Sequence, residues 1–571
     1  MNPDSFYRSR READYRQPLE TLTAVSVCGP KSLQLPFSVV TLGPPILTEV
    51  AVEPLVDLSK KWDVAIVGTG MGGSTLGLAL AKAGLGVLFL EKGTAVAAQT
   101  AQTDPAAPIE RLNQGWWPFP LTQRSSGGRQ ERFFAAVGCA VGGSSIHYAA
   151  ALERMAASDF EPLQTRSLRV PAWPVSYEEF LPFYEAAEML YGLGTHGDAA
   201  GDGSSDALLS EWDRGLMAAM RRNGLKPQRL HVAMRYDEDC RECVGRVCPR
   251  RCKADARTAC LELALKHPAC RLLDQCDVQT LEADGCRVNR IHALHRGAPV
   301  AIQAGIVVLA AGALHSPQIL LRSRNSFWPN GLANRSDQVG RNLMFHTADI
   351  YALWAPRRPR LDRRARQKKS ISIRDFYVTK GERLGYVQSM GLDAGQGNIA
   401  GFMKDTLRRC GVRHEKLLSL LVKLPSHAAS MWLGKASIFA AMTEDDPDPD
   451  NRILLDPEEP DGAYFTYHIT DDLRRRADAL RGAFSRHVKP WRVQRLSPTL
   501  TMNYGHPCGT CRFGKDPATS VLDRNNRTHD VENLYVVDAS FMPRSGAINP
   551  SLTIAANALR SAAPIAARSS D

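Results

Sequence analysis

The sequence predicts an α/β fold: a nucleotide-binding domain with a parallel sheet, joined to an α+β cap domain with a mainly antiparallel sheet. Three observations support it. Residues 61–93 read as strand, glycine-rich turn, helix and strand. Apolar runs typical of buried strands recur at residues 306–312 and 531–538, so one sheet collects distant parts of the chain. At 571 residues the chain is also too long for one ordinary core.

The glycine-rich turn gives the first domain a Rossmann-like character. An apolar strand leads into Gly68, Gly70 and Gly73, which hold the three glycine positions of the dinucleotide fingerprint. These positions permit a tight bend, close approach of the backbone to a pyrophosphate, and close packing of helix on strand. A helix over residues 74–83 would then point its N-terminus at the phosphates. Glu91 ends the next strand, where a carboxylate accepts hydrogen bonds from ribose hydroxyls and disfavours a 2′-phosphate.

The C-terminal region supplies further residues at the ligand edge of the same sheet. Asp538 closes the strand run 531–538, at the carboxyl end where ligands of such sheets collect. A helix predicted over residues 553–562 begins at Thr553, shortly after Pro550, so its N-terminus faces the same ligand. The N- and C-terminal parts of the chain are therefore expected to form one nucleotide site.

A histidine and an amide stand in this C-terminal region. His506 lies in the sequence His-Pro-Cys-Gly-Thr, and Asn549 in Asn-Pro-Ser-Leu-Thr. A histidine with a pKa near the working pH is a suitable proton acceptor, whereas asparagine orients a hydroxyl without taking its proton. The pattern favours proton removal from a substrate, and a structural histidine in a glycine-rich loop is the alternative.

Five motifs in order resemble the glucose–methanol–choline (GMC) family of FAD oxidoreductases. They are residues 68–73 with Glu91, residues 138–145, 311–317 and 340–343, and the C-terminal block with His506 and Asn549. The resemblance covers residues 61–565. It implies a Rossmann-like FAD-binding domain, FAD as the cofactor, and oxidation of an alcohol carbon to a carbonyl.

The resemblance also assigns roles to single residues. His506 takes the place of the base on the flavin N5 side, and Asn549 takes the place across from it. The residues that it places around FAD are Gly68, Gly70, Gly73, Glu91, Gly142, Gly143, Ser144, His147, Asp538, Asn549, Pro550 and Thr553.

Within the family, the pattern is nearest to the branch of pyranose oxidase and the bacterial sugar dehydrogenases. His147 follows Gly142-Gly143-Ser144-Ser145-Ile146, where some relatives bond a histidine covalently to the flavin 8α carbon. Covalent attachment is therefore one hypothesis for His147, and a simple flavin or substrate contact is the other.

A cysteine-rich loop is the candidate metal site. Its cysteines are spaced C-x2-C-x4-C-x3-C, which keeps four thiols on one loop, and they are Cys240, Cys243, Cys248 and Cys252. Thiolates are ligands of iron–sulfur clusters and of zinc. The last three resemble the cysteines that hold a three-iron cluster in some bacterial sugar dehydrogenases, which implies electron transfer to a partner. Zinc, or a structural loop without metal, remain the alternatives.

The order of the motifs divides the chain into three parts. They are an N-terminal extension (1–60), the FAD-binding domain (61–150, 226–345 and 501–571) and the substrate-binding cap (151–225 and 346–500). In the cap, Ser176 and Glu179 have the spacing of a capping box at a helix N-terminus. Residues 416–442 are predicted as an amphipathic helix that adds to the cap core, or as a surface for a membrane or partner subunit.

Charge and hydropathy restrict the partners. The formal charge is +11, and the densest basic run, Arg357–Lys369, has eight basic residues and one acid. No nucleic-acid motif accompanies it, so it is a solvated loop or a docking surface for an anionic partner. The sequence shows neither a secretory signal nor a transmembrane span. It predicts a cytoplasmic protein, with periplasmic location by co-export with a signal-bearing small subunit as the alternative.

These expectations combine into one function. The chain is predicted to oxidise an alcohol or sugar, with hydride transfer to flavin N5, His506 as the base, and electrons passed to an accessory subunit or external acceptor. An oxygen-using oxidase and a flavin-containing lyase of the same family are the alternatives. The residues leave the substrate open.

Overall fold

The computed structural model describes residues 56–96, 108–125, 127–164, 169–193, 209–236, 240, 243–354, 369–379, 381–391, 399–400, 403–404, 407, 415–433, 436–456, 462–489, 491–497 and 499–569. The described residues all belong to one compact unit, Val50–Asp571. The predicted extension 1–60 and the basic run Arg357–Lys369 lie outside the described residues, apart from 56–60 and Lys369.

The strands are numbered in chain order. They are β1 Lys61–Val67, β2 Val87–Leu90, β3 Leu121–Arg124, β4 Gln130–Phe133, β5 Leu163–Gln164, β6 Arg169–Val170, β7 Pro227–Arg229, β8 Arg271–Leu273, β9 Cys276–Ala283, β10 Val288–His295, β11 Ala298–Leu309, β12 Met344–Thr347, β13 Asp349–Trp354, β14 Ile371–Ile373, β15 Tyr386–Ser389, β16 Ser437–Met442, β17 Arg452–Leu454, β18 Ala463–Thr466, β19 Arg492–Arg495, β20 Met502–Cys508 and β21 Leu534–Val536.

The α-helices are numbered in the same way. They are α1 Met71–Lys82, α2 Pro108–Asn113, α3 Tyr177–Leu190, α4 Glu211–Arg222, α5 Glu262–Ala264, α6 Ser316–Arg322, α7 Glu415–Leu433, α8 Asp471–Val488 and α9 Ser551–Arg568. None of the helices in the described part of the chain combines the length and the apolarity needed to cross a bilayer.

The first sheet carries the predicted nucleotide-binding elements. Its parallel part has the order β8-β2-β1-β11-β21, so the first strand lies at its centre. Val64 pairs with Val87 on one side and with Ile306 on the other, and Val64–Val67 are all buried. This is the pattern of a parallel sheet covered on both faces. The predicted run 306–312 is the end of a longer strand, since the start of β11 pairs antiparallel with β10.

The second large sheet is antiparallel throughout, in the order β19-β13-β16-β15-β14-β7. Helices α4 and α8 pack on it through an apolar cluster that includes Leu216, Tyr351 and Phe484. The α/β fold with parallel and antiparallel sheets is thereby confirmed. Strand β7 belongs to this sheet, although the predicted boundary puts residue 226 onward in the other domain.

Two local predictions have different outcomes. The capping box is present, because Glu179 N donates to Ser176 Oγ over 3.2 Å and Ser176 N donates to Glu179 Oε2 over 3.0 Å. The single helix over residues 416–442 is wrong, because α7 ends at Leu433 and Ser437–Met442 form β16. The side chains of β16 from Ile438 onward are buried and its backbone bonds to strands on both sides, which a helix could not do.

Candidate active site

The glycine turn and the loop at Gly142 meet at one end of the parallel sheet. A Cβ atom on Gly143 would lie 2.8 Å from Gly70 Cα, so the two backbones are in contact. Gly142 N donates to Thr69 Oγ1 over 3.0 Å, and Ser144 Oγ accepts from Gly138 N over 2.9 Å. The predicted cofactor residues of both segments are therefore brought together.

Glu91 closes this corner from the end of β2. Its Oε2 atom accepts from Thr69 N over 2.9 Å and from Thr69 Oγ1 over 2.6 Å, and its Oε1 atom accepts from Gly93 N over 3.0 Å. Burial raises the pKa of this carboxyl, against the hydrogen bonds that lower it. The carboxylate thus stands at the predicted place, where it also fixes the glycine turn.

The turn offers room for a ligand at one glycine only. A Cβ on Gly73 would lie 2.1 Å from Gly68 O, and one on Gly72 would lie 2.3 Å from Val537 O. A Cβ on Gly70 would meet no atom within 4 Å. The open side of Gly70 lies where the fingerprint brings a pyrophosphate close to the backbone, so the residues fit a dinucleotide.

We expect Gly70→Ala to separate cofactor binding from folding. Gly70 has φ −69°, which alanine adopts without strain, and no protein atom opposes the new methyl group. The variant should therefore fold normally but retain FAD at least about tenfold less tightly, because the methyl group occupies the pyrophosphate approach. Gly215→Ala, also in open space and in the middle of α4, is the matched control. Flavin content and thermal melting of the apoprotein measure the two effects; normal FAD retention would contradict the assignment.

The C-terminal residues predicted at this site differ in how many hydrogen bonds they already make within the protein. Both carboxylate oxygens of Asp538 accept hydrogen bonds within the protein, from Gly312 N over 2.9 Å and from Ser540 N over 2.9 Å. Thr553 Oγ1 lies 2.8 Å from the hydroxyl of Tyr184. Helix α9 follows Pro550, and its first-turn N–H groups at residues 551–553 point out of the helix, as an anion site requires.

His147 stacks on a tryptophan side chain beside the glycine loop. Its ring stacks on Trp116 with 3.7 Å between centroids, and neither ring nitrogen makes a well-formed hydrogen bond to a described residue. Burial, and then the charge of Lys253, lower the pKa of His147 to about 4. The imidazole is thus neutral at physiological pH.

Lys253, which the sequence did not single out, ties this loop to the cysteine loop. The three N–H groups of its buried ammonium are shared among four carbonyl oxygens at 2.7–3.1 Å, those of Ile146, Tyr148, Cys243 and Arg246. Burial lowers the pKa of Lys253 to about 8. Four carbonyl acceptors around one charge make this a structural cross-link between the two loops.

The cysteine loop does not have the geometry of a metal site in the described residues, where no group of three or more His, Cys, Asp or Glu side chains is placed to hold a metal ion. A hydrogen bond between Cys243 and Cys248 raises the pKa of the first and lowers that of the second to about 5. Cys252 is buried and directs its thiol at Arg250 O over 3.8 Å. The four-cysteine metal site thus stays a prediction without geometric support.

His506 meets a second histidine that the sequence analysis missed. The ribbon of β12 and β20 places His346 Nδ1 3.0 Å from His506 Nδ1. His346 Nε2 lies 2.8 Å from Gly546 O, and Asn503 Nδ2 lies 3.1 Å from His506 Nδ1. No described residue hydrogen-bonds to His506 Nε2. Asn549, three residues after Gly546, has a buried Oδ1 atom without a described partner.

Both histidines are held neutral by their surroundings. Burial, then the repulsion that a protonated His346 would exert, then the charge of Lys369 bring the pKa of His506 well below its usual range. Burial also lowers the pKa of His346, although the carbonyls of Ser545 and Gly546 oppose it. An unprotonated imidazole is the form that can accept a proton.

A buried ionic network supports the strand pair from behind. The backbone of Glu444 pairs with that of His346 in an isolated antiparallel β-bridge. The carboxylate of Glu444 accepts from Arg544 Nη2 over 2.8 Å and from Arg383 Nε over 2.8 Å. Burial alone would raise the pKa of Glu444, but Arg544 and Arg383 outweigh it and hold the value at about 2. Arg544 is 1% exposed, so its charge depends on this partner.

Comparison with known proteins decides the family. Family models described as GMC oxidoreductase match residues 63–348 and 442–558. The chain belongs to the GMC oxidoreductase family. It is therefore an oxidoreductase that acts on alcohol or sugar hydroxyl groups, and the family and its FAD-dependent solved members support FAD as the cofactor.

Three relatives illustrate the range. The chain is 28% identical over 540 residues to 6'''-hydroxyparomomycin C oxidase of Streptomyces lividus, covering 89% of this chain and 92% of that protein. It is 25% identical over 555 residues to the fructose dehydrogenase large subunit of Gluconobacter japonicus, covering 88% and 97%. Pyridoxine 4-oxidase from Mesorbium loti has the same fold, with a TM-score of 0.60, 22% identity, and coverage of 88% of this chain and 99% of that one. Oxidases and a dehydrogenase both occur among them.

Proposed function

We propose that this protein oxidises a hydroxyl group of a sugar or polyol-like alcohol to a carbonyl, with His506 as the base. FAD supplies the hydride acceptor, at flavin N5, when it is bound. The hydroxyl proton goes to His506 Nε2, and Asn549 Oδ1 or its amide orients the hydroxyl. The observation that carries the proposal is the contact between His506 and His346, because it determines which nitrogen of His506 is free.

The tautomer of His506 follows from its neighbours. Gly546 O can only accept, so His346 Nε2 must carry a hydrogen. With His346 neutral, its Nδ1 is an acceptor and His506 Nδ1 donates to it, so the NH2 group of Asn503, 3.1 Å from the same atom, makes no hydrogen bond to it in this state. The lone pair of His506 is then on Nε2, which is free of described hydrogen bonds and available to a substrate.

The same contacts accommodate the proton after it is taken. When Nε2 becomes protonated, the Nδ1 hydrogen can pass to His346 Nδ1, since the two atoms lie 3.0 Å apart. His506 Nδ1 then accepts from the newly protonated His346 Nδ1, its lone pair is shared with the NH2 group of Asn503 over 3.1 Å, and the charged His346 keeps its bond to Gly546 O. In this account His346 is a positioning residue, and Asn503 stabilises the protonated state.

We expect His346→Leu to lower the rate of flavin reduction about 10–100-fold while KM changes little. The loss of the acceptor at Nδ1 leaves the His506 tautomer unfixed, whereas substrate binding does not depend on it. His346→Asn puts an amide oxygen near the same place and should restore part of the rate. Rapid mixing measures both variants. Equal rates for the two would mean that His346 only fills space.

Lys369→Met should move the acid limb of the kcat/KM pH profile to higher pH. The ammonium charge of Lys369 contributes, after burial and His346, to the low pKa of His506. Its removal raises that pKa, so the base becomes protonated, and activity is lost, at a higher pH than in the native protein. Lys369→Arg keeps the charge and should leave the limb unchanged. If the acid limb of Lys369→Met did not shift, the charge of Lys369 would have no effect on the pKa of His506.

For the electron acceptor, we propose a partner protein or external acceptor rather than oxygen. The likeness to the fructose dehydrogenase large subunit, a subunit by its name, supports this. The likeness to 6'''-hydroxyparomomycin C oxidase favours the alternative, an oxidase. An iron–sulfur cluster on the cysteine loop and a covalent bond from His147 to FAD are not needed by either.

One comparison tests substrate class and acceptor together. The purified FAD-loaded protein is assayed with sugars, polyols and simple alcohols, once by oxygen consumption and once with a soluble redox dye. Dye reduction much faster than oxygen consumption supports the dehydrogenase, and the reverse supports the oxidase. Turnover of simple aliphatic or aromatic alcohols, with none of sugars or polyols, would overturn the proposed substrate class. Iron and sulfide analysis of the same preparation checks for the cluster. Acid precipitation of the protein checks for the His147 bond, because covalently bound flavin stays in the pellet.

A further inference from the structure

Helix α7 presents apolar side chains on two opposite faces. The inner face carries the buried apolar residues Leu418, Val422 and Leu433, with the buried Ser426 among them. The outer face carries Leu417, Leu420, Leu421 and Leu424, at the spacing i, i+3, i+4 and i+7 that forms one stripe of a helix. The helix therefore needs something other than its own core to cover the outer stripe.

The exposure of this stripe is unusual for the protein. Leu420, Leu424 and Met431 are 71%, 79% and 71% exposed. Among the described residues, six of the eleven exposed large hydrophobic side chains belong to this helix: Leu417, Leu420, Leu421, Leu424, Met431 and Trp432. Scattered exposed leucines are ordinary, but a contiguous apolar stripe marks an interaction surface.

Aromatic and cationic groups stand at the end of the stripe. The Trp432 ring lies 5.3 Å from that of Trp354, and the Arg492 guanidinium lies 4.5 Å from Trp354 and 5.3 Å from Trp432. Lys423 is exposed on the flank of the same helix. Tryptophan beside arginine and lysine, at the edge of a leucine stripe, is typical of helices that lie in a membrane interface.

The charge of the surface selects its partner. The helix has no acidic residue from Leu417 to Leu433, and the whole chain carries +11. A second copy would bring the same positive charge to the contact and be repelled, whereas an anionic lipid surface attracts it.

We propose that the outer face of α7 is a membrane-binding surface, which inserts Leu417, Leu420, Leu421, Leu424 and Met431 into the headgroup boundary of an anionic bilayer. The helix lies in the interface plane, with Lys423 and Arg492 at the level of the lipid phosphates. This surface is independent of the proposed reaction, since none of its residues belongs to the candidate active site.

Vesicle flotation of the FAD-loaded full-length protein tests this surface. The vesicles are phosphatidylcholine alone, or with about one-quarter phosphatidylglycerol. We expect flotation with the anionic vesicles, weaker binding to the neutral ones, and at least about tenfold weaker binding of the double variant Leu420→Asp with Leu424→Asp, because each leucine contributes by burial in the acyl region. The double variant Leu294→Asp with Phe327→Asp changes exposed apolar residues elsewhere by the same charge, and should bind normally.

Absence of flotation by the native protein, or an equal loss in both double variants, would overturn the proposal. So would a dimer that Leu420→Asp with Leu424→Asp dissociates in the absence of vesicle binding, since a second copy would then cover the stripe. Dye-coupled alcohol oxidation is measured on every variant. Failure of that activity in all of them, the native protein included, would count against the proposed function and leave the flotation result intact.

Discussion

His506→Asn is expected to slow flavin reduction by alcohol about 10²–10⁴-fold, the usual contribution of a general base. The asparagine amide can still donate to His346 Nδ1, as His506 Nδ1 does over 3.0 Å, but it has no lone pair in the place of Nε2. The variant should therefore bind FAD normally and lose only the step in which the hydroxyl proton leaves. Anaerobic rapid mixing with substrate measures the rate directly.

The matched control is His292→Asn. This histidine is exposed on β10 and pairs with Glu282 over 2.8 Å, so its replacement should change neither flavin content nor rate. If His506→Asn reduced its flavin within a fewfold of the native rate, the proton would have another acceptor, and the role given to His506 would be wrong.

Glu444→Gln is expected to destabilise the fold by about 3–5 kcal/mol. The change keeps the shape of the side chain but leaves the buried charge of Arg544 without its carboxylate and removes one of the two carboxylates that Arg383 contacts, the other being Asp159. Urea unfolding measures the loss as a lower midpoint with an unchanged m-value. Glu532→Gln, which removes an exposed partner of Arg287, should cost no more than about 1 kcal/mol. If Glu444→Gln lost no more stability than Glu532→Gln, the network would not depend on the charge of Glu444.

The pH dependence of the unfolding free energy, compared between the native protein and Glu444→Gln, gives a second test. The folded pKa of Glu444 is about 2, below its value of 4.5 in the unfolded chain. The stabilisation is therefore fully present above about pH 4.5 and is lost as pH falls toward 2; the shift corresponds to about 3 kcal/mol. The stability difference between native protein and Glu444→Gln should shrink over this range, and a constant difference would contradict the assignment.

The sequence was sufficient for the nucleotide-binding elements because their signals are local. The glycines at 68, 70 and 73, the strands on either side and Glu91 all lie within about thirty residues, and each has a backbone reason for its identity. The structure places them as expected, with the open space at Gly70 and the tight contacts at Gly73.

Residues that act through distant contacts could not be found in the same way. His346 is 160 residues from His506, and its only local signal is its place just after the motif at residues 340–343. Lys253 reads as an exposed charge until its four carbonyl acceptors are seen. Glu444 and Arg544 are 100 residues apart, and charged side chains are read as surface residues when no partner is in view.

The misread helix has a different cause. Ser437–Met442 is a short apolar run, and periodicity alone does not distinguish a buried strand from a buried helix segment. The choice is made by hydrogen bonds to β13 and β15, which come from other parts of the chain. Tertiary pairing thus decided what local pattern left open.

Anaerobic mixing of the FAD-loaded protein with a panel of sugars, polyols and a cyanohydrin distinguishes alcohol oxidation from lyase activity. We expect at least one sugar or polyol to bleach the flavin absorbance, more slowly when the carbinol hydrogen is replaced by deuterium, and His506→Asn to slow the bleaching about 10²–10⁴-fold. Flavin that stays oxidised with every alcohol while the cyanohydrin is cleaved would contradict it, because the same fold would then serve a lyase.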